Sequence, residues 1–289
     1  MPKKSKTLIA QLPEPEVLDF AQILHDYQSG KIDLVCVLGP TASGKTKYAV
    51  RLARDLIRIT SHEAGQDPEN QCIKGVEIIS ADSRQVYRGM DIGTGKDIVE
   101  YEEIPYHLID IAEAGDRYNV YRFQQDFKAA YSDIRSRGIL PILCGGTGLY
   151  INAVTSAYDF SSSKPLSVSA QDSNQGDTKV DGLPRNTFFI GTLVSRETRN
   201  ERIDARLDAR LQEGMVDEIK TLLDRGVEAE SLIAYGLEYK YVTLYILGEL
   251  SYDEMREKLA IAIHQFAKRQ MTWFRGMERS GACIHWVEV

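Results

Sequence analysis

Four short stretches carry residue types that can do chemistry. The first is "CVLGPTASGKT", Cys36–Thr46. An apolar run stops at a glycine-rich turn that fits G-x-x-x-x-G-K-[ST], with Gly39, Gly44, Lys45 and Thr46 at the fixed positions. Between a strand and a helix, such a loop turns backbone N–H groups and the positive helix end toward a di- or triphosphate. Lys45 supplies a mobile cation to the outer phosphate. The Thr46 hydroxyl can ligate Mg²⁺, a metal usually shared between phosphates and few protein atoms. The motif alone does not say whether the phosphate belongs to a nucleotide.

The second stretch is "ISADSRQVYRGMDIGTGK". Asp82 follows an apolar run, and in open parallel sheets ligands bind beyond the carboxyl ends of the strands. An aspartate there can hold Mg²⁺ or act as a general base; the plainer reading is an Asx-turn with Ser83. Ser83, Arg84 and Gln85 add hydrogen-bonding groups on the same loop. The third stretch, "CGGTGLY", ends an apolar run with Gly145 and Gly146, which let backbone approach a ligand, and sets the Thr147 hydroxyl at the same edge. The fourth is a basic, aromatic helix over 263–275, in which Arg269 and Trp273 share a face. Such a helix can hold phosphate and stack a base, or it is a core tryptophan beside a solvated charge face.

Two further features have structural readings of equal or greater weight. His107 has no His or Cys partner at metal spacing. Arg199, Arg202, Arg206 and Arg210 either close over a phosphate or make a salt-bridged helix face.

These groups need a frame. Apolar runs at 33–39, 76–82, 139–146, 187–194 and 283–289 read as buried strands. Helical periodicity follows Lys45, runs from Asn119 to Gly138, and covers Glu14–Gly30. Charged helices extend from Ser195 to about Gly226, and a last helix opens with a Ser251–Glu254 capping box. Short all-apolar strands alternating with helices predict an α/β fold: a P-loop NTPase-like parallel sheet with flanking helices. The division expected is an N-terminal helical extension (1–30), a first part of the core (31–155), a flexible Ser/Asp/Gly/Pro-rich segment (156–186), and completion of the core by helices and a strand (187–289).

Composition removes several classes. At 289 residues, with 43% hydrophobic and 27% charged residues, the chain is an ordinary globular protein. No apolar run is long enough for a membrane span or a signal peptide, so a cytoplasmic protein with no membrane partner is expected. The four cysteines form no C-x-x-C pair, which supports neither zinc nor a disulfide framework. A net charge of −7 argues against a protein that coats nucleic acid non-specifically.

Taken together, "GPTASGKT", "ISADSRQVYRGMDIGTGK", "YHLIDI", "ILPILCGGTGLYI" and "AKRQMTWFR" resemble, in order, the tRNA dimethylallyltransferase family. The resemblance covers about 34–150 and 187–289. It implies that the loop Gly39, Pro40, Thr41, Ala42, Ser43, Gly44, Lys45, Thr46 holds the diphosphate of dimethylallyl diphosphate rather than a nucleotide, together with Arg269 and Mg²⁺. It further implies that Asp82 accepts a proton from the exocyclic amine of adenine. Thr147 would orient the diphosphate, and Ser83, Arg84 and Gln85 would contact tRNA at the target base of the anticodon loop. The protein would act as a monomer. Two departures stand out. The family usually carries a long helical, arginine-bearing insertion after "GGTGLYI", where this chain has the short Ser156–Asn186 stretch. His264 stands where the family often has arginine. A free adenine nucleotide (AMP, ADP or ATP) is therefore a second acceptor to test, and a small-molecule P-loop kinase is a reading of another class.

Overall fold

The computed structural model describes residues 12–64, 73–156 and 181–289. In chain order the elements are α1 (Phe20–Gln28), β1 (Leu34–Leu38), α2 (Lys45–Ala64), β2 (Val76–Ser80), β3 (Tyr87–Arg88), β4 (Tyr106–His107), β5 (Ala112–Glu113), α3 (Val120–Ser136), β6 (Leu140–Gly145), α4 (Gly148–Thr155), β7 (Thr187–Leu193), α5 (Arg196–Gln212), α6 (Met215–Asp224), α7 (Ala229–Tyr235), α8 (Leu237–Ile246), α9 (Tyr252–Arg279) and β8 (Ile284–Glu288). Six strands form one sheet in the order β4-β2-β6-β1-β7-β8. Every neighbouring pair in it is parallel. A small parallel ribbon of β3 and β5 stands apart.

The central strands β1 and β6 are apolar and fully buried because both faces of the sheet are covered there. Along β1, Leu34, Cys36 and Leu38 join a core with Phe123 and Phe127 of α3, Ile151 of α4 and Phe274 of α9. Val35 and Val37 point the other way, into a core with Leu24 of α1 and Leu52 and Leu56 of α2. Phe123, Phe127 and Phe274 are fully buried, and truncating any one to alanine would cost about 3–5 kcal/mol.

Helix ends follow their caps. α1 begins at Phe20 rather than near Glu14, because the Asp19 carboxylate accepts the N–H groups of Ala21 and Gln22. Asn119 caps α3 through the Arg122 N–H. The Ser251–Glu254 capping box opens α9 as its sequence indicates. α2 runs to Ala64, deeper into the polar stretch after Ile57 than periodicity alone indicates.

α5 to α8 pack against one another and against α9. Asp204 of α5 pairs with His264 of α9 at 2.7 Å, and Asp208 takes a bidentate bond from Arg256. Of the Ser156–Asn186 stretch expected in place of a helical insertion, residues 157–180 lie outside the described residues, as do residues 1–11 of the N-terminal extension.

Candidate active site

In a parallel sheet all strands deliver their carboxyl ends to one edge. Here Leu38 pairs with Gly145, and Ser80 with Cys144, so the segments after β1, β2 and β6 emerge side by side. They enclose a cavity of about 450 Å³, within the ordinary range for small-ligand sites. Thr41, Ala42, Gly44, Lys45 and Thr46 of the phosphate loop line it, opposite Asp82, Arg84 and Gln85.

The loop is shaped to hold an anion. Ala42 (φ 60°) and Gly44 (φ 78°) take the left-handed conformation, one way a short loop gathers N–H groups into a concave nest. Gly39 is required by packing: a Cβ there would lie 2.1 Å from Thr192 Oγ1 and 2.6 Å from Ser43 Oγ. Ser43 is a correction to the sequence reading at the side-chain level. Its hydroxyl is buried against Thr192 of β7, Oγ to Oγ 2.6 Å, and anchors the loop rather than facing the cavity. Gly39 and Pro40 also lie behind the wall, and the Pro40 carbonyl sits 3.5 Å from Lys45 Nζ. Burial draws the Lys45 ammonium below the usual lysine range, opposed by the charge of Asp82. Cys144 itself is pushed up to about 12 by burial, so it stays a neutral thiol on the cavity wall.

Asp82 lies two residues past β2. Its Oδ1 accepts the Arg84 N–H at 2.9 Å, so the Asx-turn and a cavity-lining carboxylate coexist. Gln85 is held at both ends of its amide, Oε1 accepting from Ser80 Oγ at 3.1 Å and Nε2 donating to the Gly95 carbonyl at 3.2 Å. Thr147 is tied to the same loop: its Oγ1 accepts the Ser83 N–H at 3.1 Å and donates to Ser83 Oγ at 3.4 Å. Both residues are partly exposed, and their contact helps place the Asp82 loop.

The rest of that loop is pinned from two sides. Lys96 Nζ, buried, donates to the Tyr87 carbonyl, Asp91 and Asp110 at 2.7, 2.7 and 2.5 Å. The Glu218 carboxylate of α6 accepts the N–H groups of Asp91, Ile92 and Gly93 and the Tyr239 hydroxyl.

Arg269 is not among the residues that line this cavity. It lies on the exposed side of α9, over the Phe266 ring at 5.9 Å, and faces a separate groove with Trp273 and Asn152. The next residue, one helical step of about 100° away, is the one that reaches the loop. Gln270 Oε1 accepts the Thr41 N–H at 2.8 Å, and its Nε2 donates to the Gly146 carbonyl at 2.9 Å.

The cations opposite the loop come from α5. Arg202, Arg206 and Arg210, four residues apart, form one stripe along the cavity. Arg206 pairs with Asp97 at 2.5 Å. Asp204 and Asp208, between them in sequence, make the salt bridges to α9, so the cavity-lining stripe and the salt-bridged face belong to different sides of one helix. Gln270, Glu238, Tyr101 and Phe266 also line the cavity; of these, only Gln270 falls within a motif quoted above.

The donor set suits Mg²⁺ in one way. Among the described residues, no group of three His, Cys, Asp or Glu side chains could hold a metal alone. Thr46 and Asp82 offer one or two oxygens beside a phosphate cradle, which fits a cation carried mainly by the substrate's phosphates.

A family profile described as IPP transferase matches residues 85–181 and 160–277, in two pieces that meet at 160–181. A tRNA dimethylallyltransferase 1 from Parabacteroides distasonis is 46% identical over 301 residues, covering 89% of this chain and 92% of its own. That span is longer than this whole chain, so the relative holds residues in it that this chain lacks. A tRNA dimethylallyltransferase 2 from Bacteroides fragilis is 44% identical, covering 89% and 92%. Among solved structures, the full-length tRNA isopentenylpyrophosphate transferase of Bacillus halodurans superposes with a TM-score of 0.70 at 32% identity, covering 89% of both chains. On this evidence of sequence and fold, the chain belongs to the tRNA dimethylallyltransferase family.

Proposed function

We propose that this protein transfers a dimethylallyl group from dimethylallyl diphosphate to the exocyclic amine of an adenosine in a tRNA anticodon loop, releasing diphosphate. One observation carries the reading: an anion-binding loop, a row of arginines and the Asp82 carboxylate line one cavity. The chemistry asks for those three parts. The allylic C–O bond breaks and its electron pair leaves with the diphosphate. The loop N–H groups, Lys45, Arg202 and Arg206 receive that growing charge. The amine nitrogen forms the new C–N bond and gives up a proton, which Asp82 accepts. Bound Mg²⁺, held through Thr46 and the phosphates, would add charge neutralisation of the leaving group. An adenine in a loop can leave its stack to enter such a cavity. The setting proposed is the cytoplasm, and no helix among the described residues is long and apolar enough to cross a membrane.

A free adenine nucleotide is the second reading, because the short segment 156–186 stands where the family usually carries its helical, arginine-bearing insertion. The test offers purified protein, Mg²⁺ and dimethylallyl diphosphate to unmodified tRNA, and separately to AMP, ADP and ATP, with mass spectrometry of the adenine. Product on tRNA supports the proposal, and product on nucleotide alone replaces it with the second reading. Phosphoryl transfer from ATP with no prenylated adenine would sink both in favour of a kinase.

A further inference from the structure

Glu238 stands where α7 gives way to α8, just after Leu237, whose φ of 44° is unusual for a branched residue. Its carboxylate is buried between two guanidinium groups. Oε2 accepts Arg84 Nη1 at 2.6 Å, while Oε1 lies 4.0 Å from Arg210 Nη1, beyond hydrogen-bond reach. One carboxylate thus faces two cations and binds only one closely. Arg210 Nη2 is buried with no hydrogen-bond partner among the described residues. Burial first, then the charge of Arg206, lowers its pKa to about 10. A buried cation with idle N–H groups is unfavourable until something uses them.

Its position says what that something is. Arg210 shares a recess with Thr41 and Ala42 of the phosphate loop and also lines the main cavity. Its neighbour Arg206 is already paired with Asp97. Arg84, the closer partner of Glu238, sits on the other half of the site, where its N–H holds Asp82.

We propose that Arg210 is a reserve cation for the substrate's diphosphate, and that Glu238, shared between Arg210 and Arg84, couples diphosphate binding to the loop that presents Asp82. The inference rests on the prenyl-transfer reading above. In the ligand-free site Glu238 divides its charge between both guanidinium groups. Once diphosphate oxygens occupy the idle N–H groups of Arg210, Glu238 serves Arg84 alone. The Arg84–Asp82 turn is then held most firmly when the leaving group is in place, and by linkage an ordered turn favours the diphosphate in return.

The test is calorimetry with inorganic pyrophosphate and Mg²⁺ on wild type, Arg210→Met, Arg210→Lys and Glu238→Gln, beside thermal unfolding and the transfer assay. Arg210→Met should bind pyrophosphate at least about tenfold more weakly, the loss of one charge-assisted bond. Its ligand-free melting temperature should hold or rise, because an unpaired buried charge is gone. Arg210→Lys should recover part of the affinity. Glu238→Gln should bind pyrophosphate a few-fold more tightly yet turn over more slowly, since Arg210 loses a counter-charge and Arg84 loses its ion pair. An Arg210→Met protein that melts lower but binds pyrophosphate as wild type does makes Arg210 a packing residue and overturns the proposal; so does weaker binding by Glu238→Gln. Wild type that binds no pyrophosphate fails the functional reading itself. Wild type that binds and transfers, with variants indistinguishable from it, fails only this inference.

Discussion

Gln270 clamps Thr41. One side-chain amide accepts the Thr41 N–H and donates to the Gly146 carbonyl, tying the loop after β1 to the turn after β6. The fit leaves no room for error, since a Cβ on Gly146 would lie 2.4 Å from Gln270 Nε2. The width of the phosphate cradle is therefore set by α9, a helix remote in sequence.

Gln270→Glu keeps the acceptor for Thr41 but loses the donor for Gly146 and brings a negative charge near the phosphates. The Michaelis constant for dimethylallyl diphosphate should rise about tenfold or more, as expected when one buried hydrogen bond is lost and its partner stranded. Steady-state kinetics with the acceptor saturating checks this. An unchanged Michaelis constant would remove Gln270 from the donor site.

Asp82→Asn keeps an oxygen for the Arg84 N–H but cannot take a proton. Transfer should fall by about 10²–10⁴, the usual contribution of a positioned general base. Calorimetric affinity for pyrophosphate should stay close to wild type. Affinity lost together with turnover would show that Asp82 serves the metal or the loop instead.

Gly95→Ala meets two obstacles at once. Gly95 has φ 64°, and a Cβ would lie 1.6 Å from Arg210 Nη2 and 2.4 Å from Arg206 Nη2. The strained backbone alone costs about 1–3 kcal/mol. The activity loss should exceed what that stability change explains, because the arginine stripe is displaced. Denaturant unfolding and pyrophosphate titration on the same preparation separate the two effects; a normal titration would mean the arginines reach the cavity without resting on Gly95.

Acid stability should depend on Glu77. Arg137, and after it His107, hold its carboxyl below the usual value of 4.5. A carboxylate whose folded value is lowered stabilises fully above the unfolded value, and that support drains as pH falls through the folded one. Melting temperature should therefore drop below about pH 4.5 in wild type and more gently in Glu77→Gln. Parallel pH curves for the two proteins would assign acid sensitivity elsewhere.

Much of this was readable from the chain. The five long strands appear as apolar runs because both faces of a parallel sheet are buried, and Gly39 to Thr46 and Asp82 sit at their ends, where topology brings ligands. What was not readable depended on rotation and distance. "AKRQ" presents Arg269 and Gln270 with equal claim, and only packing against Gly146 and Thr41 selects the glutamine. The α5 stripe looked like an ordinary charged helix because its carboxylates and its cavity-facing arginines interleave at i, i+4. Glu238 carries no motif at all, and its meaning comes from two arginines 154 and 28 positions away in the chain. Ser43 and Thr147 lie in motifs yet turn their hydroxyls to other protein groups, a choice that spacing cannot encode.

The clamp between Thr41 and Gln270 joins residues 229 positions apart, and β1 lies between β6 and β7, both of which come far later in the chain. Contacts of such long reach are slow to form. During synthesis the Thr41 N–H has no Gln270 to bond until α9 has emerged. A nascent chain short of Gln270 holds the phosphate motif but not the clamp that sets its width. Capture of pyrophosphate thus reports one of the last events of folding, and a ribosome stalled before that point should carry a chain that cannot trap it.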